Sequence, residues 1–153
     1  MKTSRTTRLG IAISASLWIA SSACAADGAV ENVSVRAIAH FGFDQTSLAP
    51  DDQAAILADV GKMKGVTWQS VTATGYTDSI GNAGYNARLS SRRAQAVKSY
   101  LVGTGLDSAL ISTRGRAAAA PVADNSSGEG RAKNRRTEIE FQGVRAAAQP
   151  ATR

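Results

Sequence analysis

Residues 72–101, TATGYTDSIGNAGYNARLSSRRAQAVKSYL, hold three patterns in succession. Val71, Ala73 and Gly75 alternate with threonines, which predicts a half-buried strand. Gly75, Gly81 and Gly84 break that alternation and mark a loop. After Gly84 the period becomes helical, and no proline interrupts it. With Leu89 set to zero on a wheel of about 100° per residue, Ala96, Tyr100, Val97 and Leu101 fall between roughly −20° and 120°. They form the apolar stripe that should face the core.

Arg93 lies at about 40° by the same count, inside that stripe, while Arg88, Arg92, Gln95 and Lys98 lie outside it. A guanidinium on a core-facing side is costly to desolvate unless it finds a partner. The nearest acid in sequence is Asp78, in the loop that delivers the chain to the helix. Asn86, two turns before Arg93, shares nearly the same face. An internal Asp78–Arg93 salt bridge and a binding site for an outside group are both open on spacing alone, since ion-pair networks occupy such positions too.

The N-terminal stretch reads as an export signal. Lys2, Arg5 and Arg8 precede the apolar run LGIAISASLWIA at 9–20, and Ala23 and Ala25 supply small residues for cleavage after Ala25. The run falls short of the roughly 18 apolar residues of a membrane span. Cys24 follows Ser21-Ser22-Ala23, a sequence similar to a bacterial lipoprotein processing site but without the usual leucine. Soluble export is the favoured expectation and lipidation the alternative.

Cleavage there would leave 128 of 153 residues, enough for one domain. Three of the 18 basic residues lie in the signal and none of the 12 acids, so the remainder carries a net charge of +3. That weakens any case for nucleic acid as a partner. With Cys24 removed no cysteine remains, which excludes a disulfide framework or a thiol nucleophile and suits an oxidising compartment. His40 stands alone and reads as a strand-surface residue.

The expected organisation is a signal at 1–25, a short loose leader at 26–32, one domain at 33–142 and a disordered tail at 143–153. Residues 33–43 alternate as a strand with one apolar face. Residues 48–64 read as a helix with Pro50, Asp51 and Asp52 in its first turn and a stripe of Ala54, Ile56, Leu57, Val60 and Met63. Gly103 and Gly105 end the long helix; a short strand follows at 110–115, a brief helix at 131–135, and a last strand through Thr137, Ile139 and Phe141. The sum is an α+β (α/β) two-layer sandwich, β-α-β-α-β-(short α)-β, with a mixed sheet and helices packed on one face. There is no Ser/His/Asp set, no metal-ligand spacing and no phosphate-cradling glycine loop, so no enzyme activity, metal or cofactor is expected.

The central stretch, preceded by HFGFDQTSL and followed by STRG and EGRAKNRRTEIEF, resembles the C-terminal domain family of OmpA, the OmpA-like domains. The resemblance runs from Val35 to Phe141 and rests on three separated motifs in order. It implies a periplasmic domain, cell-wall associated, that binds peptidoglycan non-covalently through the diaminopimelate of its stem peptide. Position by position, it implies Asp78, after Thr77, as acceptor for the diaminopimelate ammonium and Arg93 as donor to its carboxylate. Asn86 and Leu89 match the loop-helix pattern, Arg135 is the ligand-side residue of Asn134-Arg135-Arg136, and Asp44 follows the first-strand Phe43. Gly42 departs from the acid often found between the two aromatic positions. The chemistry agrees: the free end of diaminopimelate is a zwitterion, which needs an anion and a bidentate cation held close together. Further expected partners are outer-membrane or other envelope proteins. The other function classes are a lipid-anchored, Pal-like link between outer membrane and wall through Cys24, and, with least weight, a wall-acting enzyme.

Overall fold

The computed structural model describes residues 29–147. In chain order the elements are β1 (Val30–His40), α1 (Pro50–Gly61), β2 (Thr67–Gly75), α2 (Ala83–Gly103), a 3-10 turn (Ser108–Leu110), β3 (Ile111–Gly115), α3 (Gly128–Asn134) and β4 (Arg136–Ala146). They make one four-stranded sheet in the order β1-β4-β2-β3. β4 is antiparallel to both β1 and β2, while β2 and β3 run parallel. This is the expected mixed sheet with helices on one face.

Strand alternation decides which side the helices cover. The register aligns Ala37 with Ile139 and Ala73, and Val35 with Phe141 and Val71. All of these are buried, and they meet Ile56 of α1 and Ala94, Val97 and Leu101 of α2. Trp68 packs on Phe141 with ring centroids 5.5 Å apart. The α1 stripe is narrower than its sequence pattern predicts: Ile56 is fully buried, but Leu57 is 46% exposed. Adjacent helix positions sit about 100° apart, and the face on the sheet does not extend that far.

Several boundaries move. β1 ends at His40 rather than running on to Phe43, because the chain turns at Gly42. There the Gln45 N–H donates to the Gly42 carbonyl at 3.2 Å, and Asp44 takes φ 55°. Phe41 stays buried, but Phe43 is 62% exposed. The alternation through Phe43 therefore overstated the strand. At the other end β1 begins at Val30, and β4 continues to Ala146, so Val30 pairs with Ala146. Residues 30–32 and 143–146 are thus strand, not leader or frayed tail. The expected signal, Cys24 and the end of the tail lie outside the described residues.

Two paired glycines set how closely α2 approaches the sheet. Gly75 of β2 lies opposite Gly115 of β3. A Cβ on Gly75 would stand 2.1 Å from the Ser90 carbonyl oxygen, and one on Gly115 would stand 2.3 Å from Ser91 Oγ. The first obstacle is helix backbone and cannot swing aside. Gly75→Ala should therefore cost about 1–3 kcal/mol through overpacking, read as a lower midpoint in chemical denaturation. An unchanged midpoint would show that α2 has room to move off β2.

Candidate functional site

The ends of β1 and β2 and the start of α2 converge on one pocket, of about 180 Å³. Its making begins with Arg93. The side chain is fully buried, as its place in the apolar stripe predicts, but its partner is not Asp78. Nε donates to the Gln45 carbonyl at 2.9 Å, Nη1 to that of Tyr76 at 2.9 Å, and Nη2 to that of Gly42 at 3.0 Å. The guanidinium also lies 5.2 Å over the Phe41 ring. Arg93 thus ties α2 to the two loops that leave β1 and β2. Burial, and then the neighbouring Arg135 guanidinium, push its pKa down to about 10, against the pull of Asp78 and Asp44. It remains cationic at neutral pH.

Asp78 pairs instead with Arg135. Arg135 Nη1 donates to Asp78 Oδ2 at 3.1 Å, with the two side chains 16% and 5% exposed. The Ile80 N–H donates to Asp78 Oδ1 at 3.0 Å, and Arg135 Nε donates to the Phe41 carbonyl at 3.0 Å. Of the two possibilities that spacing left open, the internal Asp78–Arg93 bridge is not formed. An arginine has five N–H donors; the carbonyls that surround Arg93 take three of them, and Asp78 faces Arg135, the residue between α3 and β4.

Asp44, Asp78, Leu89, Arg93 and Arg135 all line the pocket, so the structure brings together five of the seven residues singled out in the sequence. Thr77 and Asn86 stand behind it. Both are buried; the Thr77 N–H donates to the Ala117 carbonyl at 2.8 Å, and Asn86 Nδ2 donates to the Ile80 carbonyl at 3.1 Å. Thr77 Oγ1 and Asn86 Oδ1 are buried without a hydrogen-bond partner among the described residues. Asn82 caps α2 by accepting from the Tyr85 N–H at 2.8 Å.

The remaining lining is Phe43, Ile80, Gly81 and Tyr85, which the sequence reading did not assign to a site. Tyr85 was within its reach, since it sits one turn before Leu89 and beside it on the wheel. Its hydroxyl donates to Asp44 Oδ1 and joins the β1–α1 loop to α2 across the pocket. Ile80 carried no such signal, because an apolar residue in a loop has no period, and the alternation of β1 made Phe43 look like a strand residue. Gly81 has φ 102°, a conformation that side chains avoid.

The pocket therefore holds one carboxylate fixed by a backbone N–H, a second carboxylate at its rim, and two guanidinia that retain free N–H groups. Phe43, Ile80 and Leu89 shield it with apolar surface. The family model for OmpA matches residues 40–135, from the end of β1 to the arginine of this pocket. The chain belongs to the OmpA family.

The OmpA-like relatives are longer proteins. The chain is 42% identical over 105 residues to Outer membrane protein A of Bordetella avium, covering 69% of this chain and 54% of that protein. It is 43% identical over 99 residues to Peptidoglycan-binding protein ArfA of Mycobacterium tuberculosis, covering 65% of this chain and 30% of the relative. Among solved structures, the peptidoglycan-associated lipoprotein of Burkholderia pseudomallei superposes with a TM-score of 0.62 at 27% identity, covering 69% of this chain and 90% of that one.

Proposed function

We propose that this domain binds peptidoglycan without catalysis, by gripping the free zwitterionic end of diaminopimelate in the stem peptide. The observation that carries the reading is the placement of Asp78 and Arg135, opposite charges 3.1 Å apart, in one partly shielded pocket with Arg93 behind them. An ammonium group and a carboxylate on a single carbon match that spacing. Asp78 accepts from the ammonium, with Asp44 at the rim as second acceptor. Arg135 presents N–H groups not used by Asp78 and Phe41, and Arg93 adds those not bound to carbonyls, so both donate to the ligand carboxylate. Leu89 packs against the ligand's methylene chain. Thr77 and Asn86 hold the loop that carries Asp78.

The names of the similar proteins support the same reading: one is a peptidoglycan-binding protein and another a peptidoglycan-associated lipoprotein. No lining residue is a serine, cysteine or histidine, so the pocket offers no hydroxyl or thiol nucleophile of the hydrolase kind and no imidazole base. The site of action would be the periplasm, against the wall, with envelope proteins as further partners. The lipoprotein among the similar structures favours one second reading, in which Cys24 is acylated and the domain links outer membrane to wall. The mass of the mature N-terminus separates the two: a start at Ala26 gives the soluble form, and an acylated start at Cys24 the tethered one.

The recognition mode is tested by co-sedimentation with isolated wall material. The protein should pellet with peptidoglycan that contains diaminopimelate, and free diaminopimelate should release it. Material with lysine at that position should retain much less, since lysine lacks the second carboxylate. Equal retention on both would overturn the proposed mode.

A further inference from the structure

The face of the sheet opposite the helices carries a second polar groove, of about 220 Å³. Its position follows from strand alternation: Val71 and Ala73 point to the helices, so Thr72 and Thr74 point the other way. The groove runs over these two hydroxyls, with Glu138 and Glu140 of β4 on one side and Arg114 and Arg116 on the other. Thr74 is aligned with Glu138 across one ladder and with Arg114 across the next.

The charges on the two sides are not equivalent. Glu138 is bound by Arg136 at 2.6 Å and Glu140 by Arg36 at 2.7 Å, so each carboxylate is already compensated. Arg114 and Arg116 are exposed, and neither has a carboxylate partner among the described residues. Arg36, Lys62 and Lys133, exposed like them, are each held by a carboxylate. Two residues apart on one face, the pair has Cα atoms roughly 7 Å from each other, close enough for both forks to meet one group.

A third guanidinium lies behind the groove without lining it. Arg136 is 3% exposed, and its Nη1 has no hydrogen-bond partner among the described residues. Its other nitrogens reach Glu138 and the Ala120 carbonyl, and it stacks 4.1 Å over the ring of Tyr76. Tyr76 and Glu138 are both walls of the groove. Arg136 thus backs two of the groove's walls and adds positive charge behind them.

We propose that this groove is an oxyanion site for a terminal phosphate group, with Arg114 and Arg116 as its forks. Two uncompensated guanidinia match a group that carries a charge of about −1.5 to −2 at neutral pH. Thr72 and Thr74 add hydroxyl donors beneath it. The phosphate is either free in solution or the headgroup of an anionic lipid. The site is separate from the Asp78 pocket and does not depend on what that pocket binds.

The test uses the full chain, labelled with 15N and titrated with inorganic phosphate against chloride at equal ionic strength. Amides at 72–76 and 112–116 should shift and saturate, and the double variant Arg114→Gln/Arg116→Gln should weaken the response at least tenfold. Asp78→Asn should leave it unchanged. A second arm is flotation with phosphatidylcholine vesicles, with and without phosphatidic acid. Capture by phosphatidic acid that the double variant loses identifies the lipid headgroup; saturable phosphate binding without capture identifies the soluble ion. A phosphate response that does not saturate, or one equal in the double variant, overturns the proposal unless the lipid arm shows arginine-dependent capture; failure of both arms overturns it outright.

Discussion

Arg93→Leu should unfold the domain or bring it close to unfolding. The substitution removes a buried guanidinium and leaves the carbonyls of Gly42, Gln45 and Tyr76 without their donor. A hydrogen bond to a charged group contributes about 1.5–3 kcal/mol, and an orphaned buried acceptor costs about 1–3 kcal/mol. Even with relaxation and some water entry, the loss should reach at least about 4 kcal/mol, a large share of a domain's usual 5–15 kcal/mol. The thermal midpoint should fall by more than roughly 10 °C. Arg93→Lys should recover only part of this, because one ammonium cannot span carbonyls on two loops. A leucine variant that melts within about 2 °C of the parent would show that these bonds are not what holds the loops to α2.

Asp78→Asn should have its large effect on binding instead. The amide is the same size and keeps an acceptor for the Ile80 N–H. Arg135 keeps its bond to the Phe41 carbonyl and is exposed enough to take up water. Stability should therefore fall by only about 1–2 kcal/mol. A ligand ammonium, however, would meet no anion in the pocket floor. Truncating one member of a shielded charge pair costs roughly 2–5 kcal/mol of affinity, some 30- to 5,000-fold. Retention on peptidoglycan should collapse while the fold persists. Undiminished retention would remove Asp78 from the site, and unfolding as severe as that of Arg93→Leu would make it a strut.

These two outcomes differ because the two residues do different work, and the sequence did not distinguish them. The helical period placed Arg93 on the core side of α2 correctly, since burial follows from angle alone. It could not name the partner. A neighbouring acid was the economical choice, but a planar guanidinium is equally satisfied by carbonyls, and carbonyls leave no trace in a sequence. Likewise Phe43 continued the alternation of β1 in letters while the backbone had already turned at Gly42 and Asp44. Alternation reports which face a residue would take if the strand went on, not whether it does.

The order of elements, the covered face of the sheet and the stripe of α2 were determined by the sequence itself, because each rests on a local period of apolar residues. The contacts that make the pocket span far greater separations: 57 residues between Asp78 and Arg135, 48 and 51 between Arg93 and the carbonyls of Gln45 and Gly42, and 41 between Asp44 and Tyr85. The tertiary structure decided these, and the insertion of β4 between β1 and β2 is what decides them. The Phe41 N–H donates to the Arg135 carbonyl at 2.9 Å, and the Tyr76 N–H to that of Arg136 at 2.8 Å. Those two backbone bonds, just beyond the paired residues, fasten the chain leaving β1 and β2 to the chain entering β4 and set Arg135 against Asp78. A strand's pattern states that it pairs; only its neighbours in the sheet state with which residues, because every register that buries the same face has the same pattern.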